Sequence, residues 1–318
     1  MSTTTLGVTA APELGDVLPP RKARGKVGMF IYRHPTIFVG GLLLFIILCI
    51  GVFAPFLGTV DPTALAPARR TRPPPDVVAW GSYWLGMGPK PPAVQFIFGS
   101  DMLGRDVYSR VLYGTQISLL VGFSVAVVAS VIGLFIGLTS GFIRSVDAVV
   151  MRIMDGLQSI PGILLAIALM ALTRASVQNV IAAIAVTQIP PVARLVRSVV
   201  LSLREQPYVE AAVAAGTRMP VIILKHILPN TLAPVSVQAT FICASAMLTE
   251  ATLSFIGAGT PPIIPSWGNI MAEGRALWQV KPYIVFFPAA FLSVTVLAVN
   301  LLGDGLRDAL DPRLAKRI

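Results

Sequence analysis

The sequence predicts an all-α membrane protein with six transmembrane helices and with both termini in the cytoplasm. Three observations carry that expectation. Apolar residues make up 55% of the 318 and charged residues only 13%, with a mean hydropathy of +0.77, which leaves too little polar surface for a water-soluble globule of this size. The apolar residues gather in long, largely uncharged runs separated by polar, Pro-rich or Gly-rich connections. Arginine and lysine flank those runs, where they set orientation by remaining on the cytoplasmic side. A formal charge of +10 also fits a nucleic-acid binder, but the basic residues are spread over tails and connections with no basic module. Membrane lipid is therefore expected around the chain, and no nucleic acid.

Residues 1–36 read as a cytoplasmic tail, largely disordered, because Met1 to Pro20 is rich in Thr, Pro and Ala and shows no periodicity. Arg21, Lys22, Arg24, Lys26 and Arg33 then precede the first transmembrane helix, 37–57, and hold the N-terminus inside. A cleaved signal peptide competes for this stretch, with Ala64-Leu65-Ala66 as a cleavage pattern. The apolar run exceeds the roughly 7–15 residues of a signal core and starts late, which disfavours that alternative. Residues 58–116 form an extracytoplasmic loop, Pro-rich through Pro92 and carrying Trp80, Tyr83 and Trp84.

The core domain, 117–303, holds five further spans. In Ile117–Ile143, Ser118, Gly122, Ala126, Ser130, Gly133, Gly137 and Gly141 form a small-residue stripe that lets another helix approach closely. Arg144, Asp147, Arg152 and Asp155 mark a cytoplasmic turn. Gly156–Leu172, with Pro161 near its entry, and Val180–Val192, broken by Pro190-Pro191, are short and interrupted. Broken helices are tolerated where they face protein or a water-filled cavity, so this pair is the candidate lining of a pathway. The fifth span is Leu232–Ile256 and the last Tyr283–Leu302. Residues 304–318 form a cytoplasmic tail whose Arg313, Lys316 and Arg317 keep it inside. Cys49 and Cys243 both lie in apolar runs and imply no disulfide framework.

The one substantial segment between spans that reads as a helix pair is 205–230. Pro207 suits a first helical turn, and the following helix stops at Gly216, placed as a left-handed capping residue. Thr217 is positioned to cap a second helix with Pro220 in its first turn, and Pro229-Asn230 to close it. Glu210-Ala211-Ala212, then Gly216 after three residues, then Leu228-Pro229, resembles the EAA loop of permease subunits in bacterial ABC importers. The aliphatic residue usual two positions before Leu-Pro is His226 here, a variant that resembles the peptide-importer branch.

Three more blocks resemble the same branch. Phe98-Gly-Ser-Asp-Met-Leu-Gly-Arg-Asp-Val-Tyr-Ser-Arg110 is similar to the loop motif of dipeptide and oligopeptide permeases of the C type. Its Asp and Arg residues are expected to lock a surface turn. Leu248-Thr-Glu-Ala-Thr-Leu-Ser-Phe-Ile-Gly257 with Thr260-Pro-Pro-Ile-Ile-Pro-Ser-Trp-Gly-Asn269 is similar to a second block, and Gly303-Asp-Gly-Leu-Arg-Asp-Ala-Leu-Asp-Pro-Arg313 to the family's ending. The resemblance covers roughly Tyr32 to Arg313.

What the resemblance implies is a type I ABC importer permease fold. The chain would form half of a translocation pathway for di- or oligopeptides and pair with a second, homologous permease subunit, two ABC ATPase subunits and an extracytoplasmic binding protein. Nickel chelates or other small solutes remain alternative cargo for the same class. No cofactor is expected on this chain, no metal, and no catalytic residue; ATP and Mg would belong to the ATPases. Neither a phosphate loop nor a dinucleotide fingerprint is present, and His34 and His226 suggest no local metal site. The coupling residues are Glu210, Ala211, Ala212, Gly216, Leu228 and Pro229. Candidates for the pathway are Ser159, Thr187, Gln188, Gln238, Ser245 and Glu250, the last an ionisable residue near a membrane boundary that reads equally as a carboxylate held at the subunit interface or by a neighbouring helix. An ion-coupled secondary transporter, the rival class, predicts paired ionisable residues within spans and usually internal repeats. The sequence shows few of the former and no clear repeat.

Overall fold

A computed structural model of the chain describes residues 35–75 and 96–310. The expectations for the N-terminal tail, for Trp80, Tyr83 and Trp84 and for Arg313, Lys316 and Arg317 fall outside them. Among the described residues regular structure is helical, apart from one isolated antiparallel bridge between Ser100 and Asp106. The helices are α1 (Pro35–Val52), α2 (Val107–Phe142), α3 (Arg144–Gln158), α4 (Gly162–Ala171), α5 (Val177–Arg204), α6 (Pro207–Ala214), α7 (Met219–Ile222), α8 (Leu228–Phe255), α9 (Trp267–Gly274) and α10 (Tyr283–Leu310). Five helical stretches are long and apolar enough to cross a membrane: α1, α2, α5, Met219–Phe255 and α10. The bent pair α3 and α4 supplies a sixth if it is counted as one span.

Start signals are local. Asp106 caps α2 by accepting from the Ser109 amide at 2.9 Å, and Ser176 and Ser266 cap α5 and α9 in the same way. At the other end of α8, Gly257 takes φ +87°, and the Ala258 amide reaches back to the Leu253 carbonyl at 2.8 Å. This is a Schellman closure, and only glycine enters that conformation without steric cost.

Packing follows the glycine stripe. A Cβ at Gly133 would lie 2.5 Å from Val192, one at Gly137 2.5 Å from Val196, and one at Gly141 2.4 Å from Val200. Three valines of α5, spaced four residues apart, therefore sit against bare backbone on α2. Gly122, higher on the stripe, meets Cys243 and Met247 of α8. Gly40 of α1 abuts the Leu302 backbone of α10, and Gly305 returns the contact onto Ile37. One buried cluster joins α2, α4, α5 and α8 through Val125, Ala166, Ile184 and Ile242; a second joins α2, α8, α9 and α10 through Val111, Met247, Trp267 and Leu292.

Several boundaries differ from the sequence expectation. The loop 58–116 ends early: α2 begins at Val107, because Asp106 supplies a cap that lies upstream of the apolar run. Arg144 to Asp155 is the helix α3 instead of a turn, and ion pairs clip it to α5, Arg197 onto both oxygens of Asp147 and Arg194 onto Asp155 at 2.8 Å. The third span shrinks to the ten residues of α4, about 15 Å of helix. Pro161 is the reason: it stands as the N-cap of α4, and the two helices meet there at 89°. The Pro190-Pro191 pair does not break α5, which is continuous from Val177 to Arg204. Losing two amide donors is tolerated inside a bundle where neighbouring helices pack against the site, and Pro190 is buried. The final helix runs on through Leu310, so 304–310 are helical and not tail.

The block from Gly99 to Arg110 is more than a surface turn. Asp101 accepts from Arg105 Nε and from Arg110 Nη1, both at 2.7 Å, and Glu273 of α9 closes the network onto the same two arginines. Arg110 and Asp101 are each 1% exposed, so the charges are tolerable only because two cations meet two carboxylates in hydrogen-bonding geometry. Trp267 is buried beside it and donates from Nε1 to the Val111 carbonyl at 3.1 Å, while Gly268 lets α9 press onto the Ala251 backbone.

The α2–α5 contact generates a test. Gly137→Ala should lower the melting temperature of the purified chain in mild detergent, with an overpacking cost of about 1–3 kcal/mol, and adding Val196→Ala should recover most of the loss. Melting of Gly137→Ala at the wild-type temperature would show that this interlock does not limit stability.

Candidate functional site

The segment 205–230 folds as a helical hairpin at one end of α8. Pro207 is the first residue of α6, as its missing amide permits. The helix ends in a Schellman motif: the Gly216 amide bonds the Val213 carbonyl at 2.9 Å, and the Thr217 amide bonds the Ala212 carbonyl at 3.1 Å. Gly216 takes φ +73° with open space where a Cβ would stand, so backbone conformation alone demands glycine there.

Two expectations for this segment are corrected. Arg218, not Thr217, occupies the N-cap of α7, and no side chain caps it. Pro229-Asn230 does not close the second helix, because α7 runs through a π-helical turn, Ile223–Ile227, straight into α8. Pro229 then stands at the second position of α8, two residues past the π turn, and the helix continues there without its amide donor. The hairpin thus forms the end of one helical stretch from Met219 to Phe255.

The hairpin buries Val209, Ile222 and Ile227 as anchors and leaves much of its apolar surface bare. Val213 is 58% and Leu224 64% exposed, and Tyr208, Met219 and Val221 are also exposed. Of the motif residues, Glu210, Ala211, Gly216 and Pro229 face solvent, while Ala212 and Leu228 are half-buried. Tyr208 and His226 stand with ring centroids 6.2 Å apart, bringing α6 beside the π turn. Glu210 also borders a polar cavity of about 340 Å³ with Arg144, Asp147, Arg204 and Glu205. Arg204 donates to the Gly141 carbonyl at 2.8 Å and lies over the Phe142 ring, which ties the root of the hairpin to the end of α2. An exposed apolar patch rimmed by charge has the composition of a protein-docking surface.

The six pathway candidates do not converge on one space. Gln238 lines a groove of about 470 Å³ between α5, α8 and α10, with Leu195, Phe241 and Arg307. Ser159 is exposed at the end of α3, bonded to the Gly156 carbonyl at 2.7 Å. Thr187, facing Gly162 at the start of α4, and Gln188 are half-buried on α5, and Ser245 is half-buried on α8. Glu250 is fully buried within the subunit. The loop after Gly257 folds back over α8, so that Ser254 donates to Glu250 Oε1 at 2.8 Å while Thr260 and Ser266 extend the hydroxyl chain. Asn269 fastens the same loop through the Thr260, Pro261 and Ile264 carbonyls.

Sequence reasoning did not single out Glu273. The available signal was its isolation, as the one acidic residue between Glu250 and Asp304.

Comparison with known proteins agrees with this anatomy. Residues 109–316 match the model of the binding-protein-dependent transport system inner membrane component family. A probable peptide ABC transporter permease of Sinorhizobium fredii is 47% identical over 298 residues, covering 94% of this chain and 96% of the relative. A dipeptide transport system permease of Alkalihalophilus pseudofirmus is 39% identical across 89% of this chain and 87% of its own length, and a glutathione transport system permease of Pectobacterium atrosepticum 37% across 90% and 89%. Among solved structures, the inward-facing MetNI methionine ABC transporter matches with a TM-score of 0.52 at 23% identity, over 64% of this chain and 96% of that one, which shows a shared fold. The hairpin, the helical bundle that carries it and the extent of these matches lead to one conclusion: the chain belongs to the binding-protein-dependent transport system inner membrane component family.

Proposed function

We propose that this chain is the permease subunit of an ATP-driven importer for di- or oligopeptides, contributing half of the translocation pathway. The observation that carries the proposal is the solvent-facing apolar hairpin with Glu210 at its charged edge, built as a continuation of the helix that runs to Phe255. A surface of that kind suits a cleft in a cytoplasmic ATPase. Motion imposed on it reaches the far end of α8 along one rod of helix. Two ATPase subunits, a second homologous permease chain and an extracytoplasmic binding protein complete the assembly in this reading, with ATP and Mg held by the ATPases. The peptide, dipeptide and glutathione permeases among its relatives support peptide cargo. The hairpin end then lies in the cytoplasm, and the α9 end, with the loop between α1 and α2, lies outside.

Orientation is tested by labelling single cysteines in intact cells. Ile263→Cys, on the loop after α8, should react with an impermeant maleimide, and Val213→Cys should react only after permeabilisation. The reverse pattern refutes the topology.

Coupling is tested at the hairpin. Gly216→Val places a β-branched residue at positive φ, at a strain of about 1–2 kcal/mol, whereas Gly216→Asn enters that region readily. Gly216→Val and Glu210→Lys should reduce substrate-stimulated ATPase of the assembled complex while the chain still inserts, and Gly216→Asn should stay close to wild type. Wild-type transport by both damaging variants would remove the docking assignment.

Peptides of varied side chains share only their backbone and charged ends, so a general peptide pathway needs weakly selective walls. Alanine at Ser159, Thr187, Gln188, Gln238 or Ser245 should change uptake of two competing labelled peptides in parallel. A reversed preference at unchanged binding-protein affinity would show that the pathway itself reads side chains.

A further inference from the structure

The family-like block Gly99–Arg110 supports a second feature, a strap of backbone from Ala66 to Arg72 laid across it. Gly104, at φ +78°, leaves room for the Ala66 carbonyl, which would stand 1.9 Å from a Cβ there. Gly99, at φ +80°, does the same for the Arg72 carbonyl at 2.6 Å. Ser100 is fully buried beneath the strap; its Oγ donates to the Arg69 carbonyl at 2.5 Å and accepts from the Arg72 amide at 2.8 Å. The Ser100 amide donates to the Arg72 carbonyl, the Thr71 amide to the Asp101 carbonyl, and Tyr283 Oη to the Arg72 carbonyl at 2.8 Å. Thr71 is held at φ +50°, the one non-glycine residue among those described with positive φ. Strain of this kind persists only where the surroundings over-determine the backbone, and it collects at functional surfaces.

The strap presents the side chains of Arg69 and Arg70 outward. Both are exposed, and neither meets a carboxylate within ion-pair distance among the described residues. The contrast is direct: Arg105 and Arg110 below the strap are matched by Asp101 and Glu273, and Arg69 and Arg70 are not. Position sharpens the contrast. Arg69 follows Val52, the end of α1, by 17 residues, within the zone where basic residues on the outer side of a membrane work against correct insertion. The backbone that carries these arginines is fixed by five hydrogen bonds to Ser100, Asp101 and Tyr283, a presentation that suits a partner of fixed shape and negative charge.

We propose that the Arg69–Arg70 strap is a docking point for an acidic surface of the extracytoplasmic binding protein. The assignment rests on the importer reading above, which places this loop outside. A lipid headgroup is the competing anion. The negative surface potential belongs mainly to the cytoplasmic leaflet, and long basic side chains reach headgroups without a pinned backbone.

The experiment uses the complete complex in vesicles of phosphatidylcholine alone and of phosphatidylcholine with phosphatidylglycerol. The probe is the peptide-loaded binding protein that co-purifies with it, titrated against ATPase stimulation. Arg69→Glu with Arg70→Glu should raise the half-saturating concentration by about tenfold or more at low salt, with the gap narrowing at high salt and the same maximal rate at saturation. Arg69→Lys with Arg70→Lys, which keeps the charge, should stay within about twofold of wild type. Equal half-saturation for wild type and the glutamate variant overturns the proposal, as does a defect that appears only when phosphatidylglycerol is present. If the wild-type complex itself shows no stimulation by any binding protein, the importer reading fails first and this docking point falls with it.

Discussion

Helices surrounded by hydrocarbon gain nothing by leaving lipid for one another, so their association has to come from close packing and from polar groups that lipid cannot satisfy. The contact between α2 and α5 meets that requirement directly. Gly133, Gly137 and Gly141 expose backbone at intervals of one helical turn, and Val192, Val196 and Val200 fill the grooves so formed. A single methyl on any of these glycines would overlap a valine. With α5 fixed there, the rest follows: α4 packs on α5, α3 is clipped to it by Arg197 and Arg194, and the hairpin hangs from its last turn. The proline pair in α5 survives inside this clamp.

Polar interactions take over where the bundle leaves its apolar middle. At the α9 end, Asp101, Arg105, Arg110 and Glu273 join the loop, α2 and α9 into one neutral cluster, and hydroxyls around Glu250 close the loop after α8. Removing one partner from such a cluster strands a buried charge, which makes it a fixed joint and not a sliding contact. At the hairpin end the pattern reverses. Arg204 and the Asp147–Arg197 pair secure the root, while the tip stays bare. One end of α8 is locked within the subunit, and the other presents surface to whatever binds it.

The π turn between α7 and α8 sits at the junction of these regimes. Ile223–Ile227 carries the change in helical pitch, and Pro229 enters the next turn without a donor to satisfy. The consequence is that Pro229-Asn230, read as a stop along the sequence, becomes part of a continuous helix.

Composition and basic flanks determined the membrane class, and the apolar runs located every long helix to within a few turns. Spacing around Pro207 and Gly216 determined a hairpin with a left-handed closure, because those conformations depend on one or two residues and their own backbone. The small-residue stripe determined that a helix would press against 117–143. What the sequence left open were the features set by distant partners. Which helix met the stripe, whether Pro190-Pro191 would break α5, and that Arg144–Asp155 would be a helix clipped to Arg194 and Arg197 all depended on neighbours far along the chain. Glu250 shows the limit most clearly: near a boundary in sequence, it reads either as a pathway candidate or as a carboxylate held by its neighbours, and its burial becomes visible only with the loop returning through Thr260 and Ser266. Burial of a charged group is decided by the chain that folds over it, and one-dimensional spacing does not contain that chain's path.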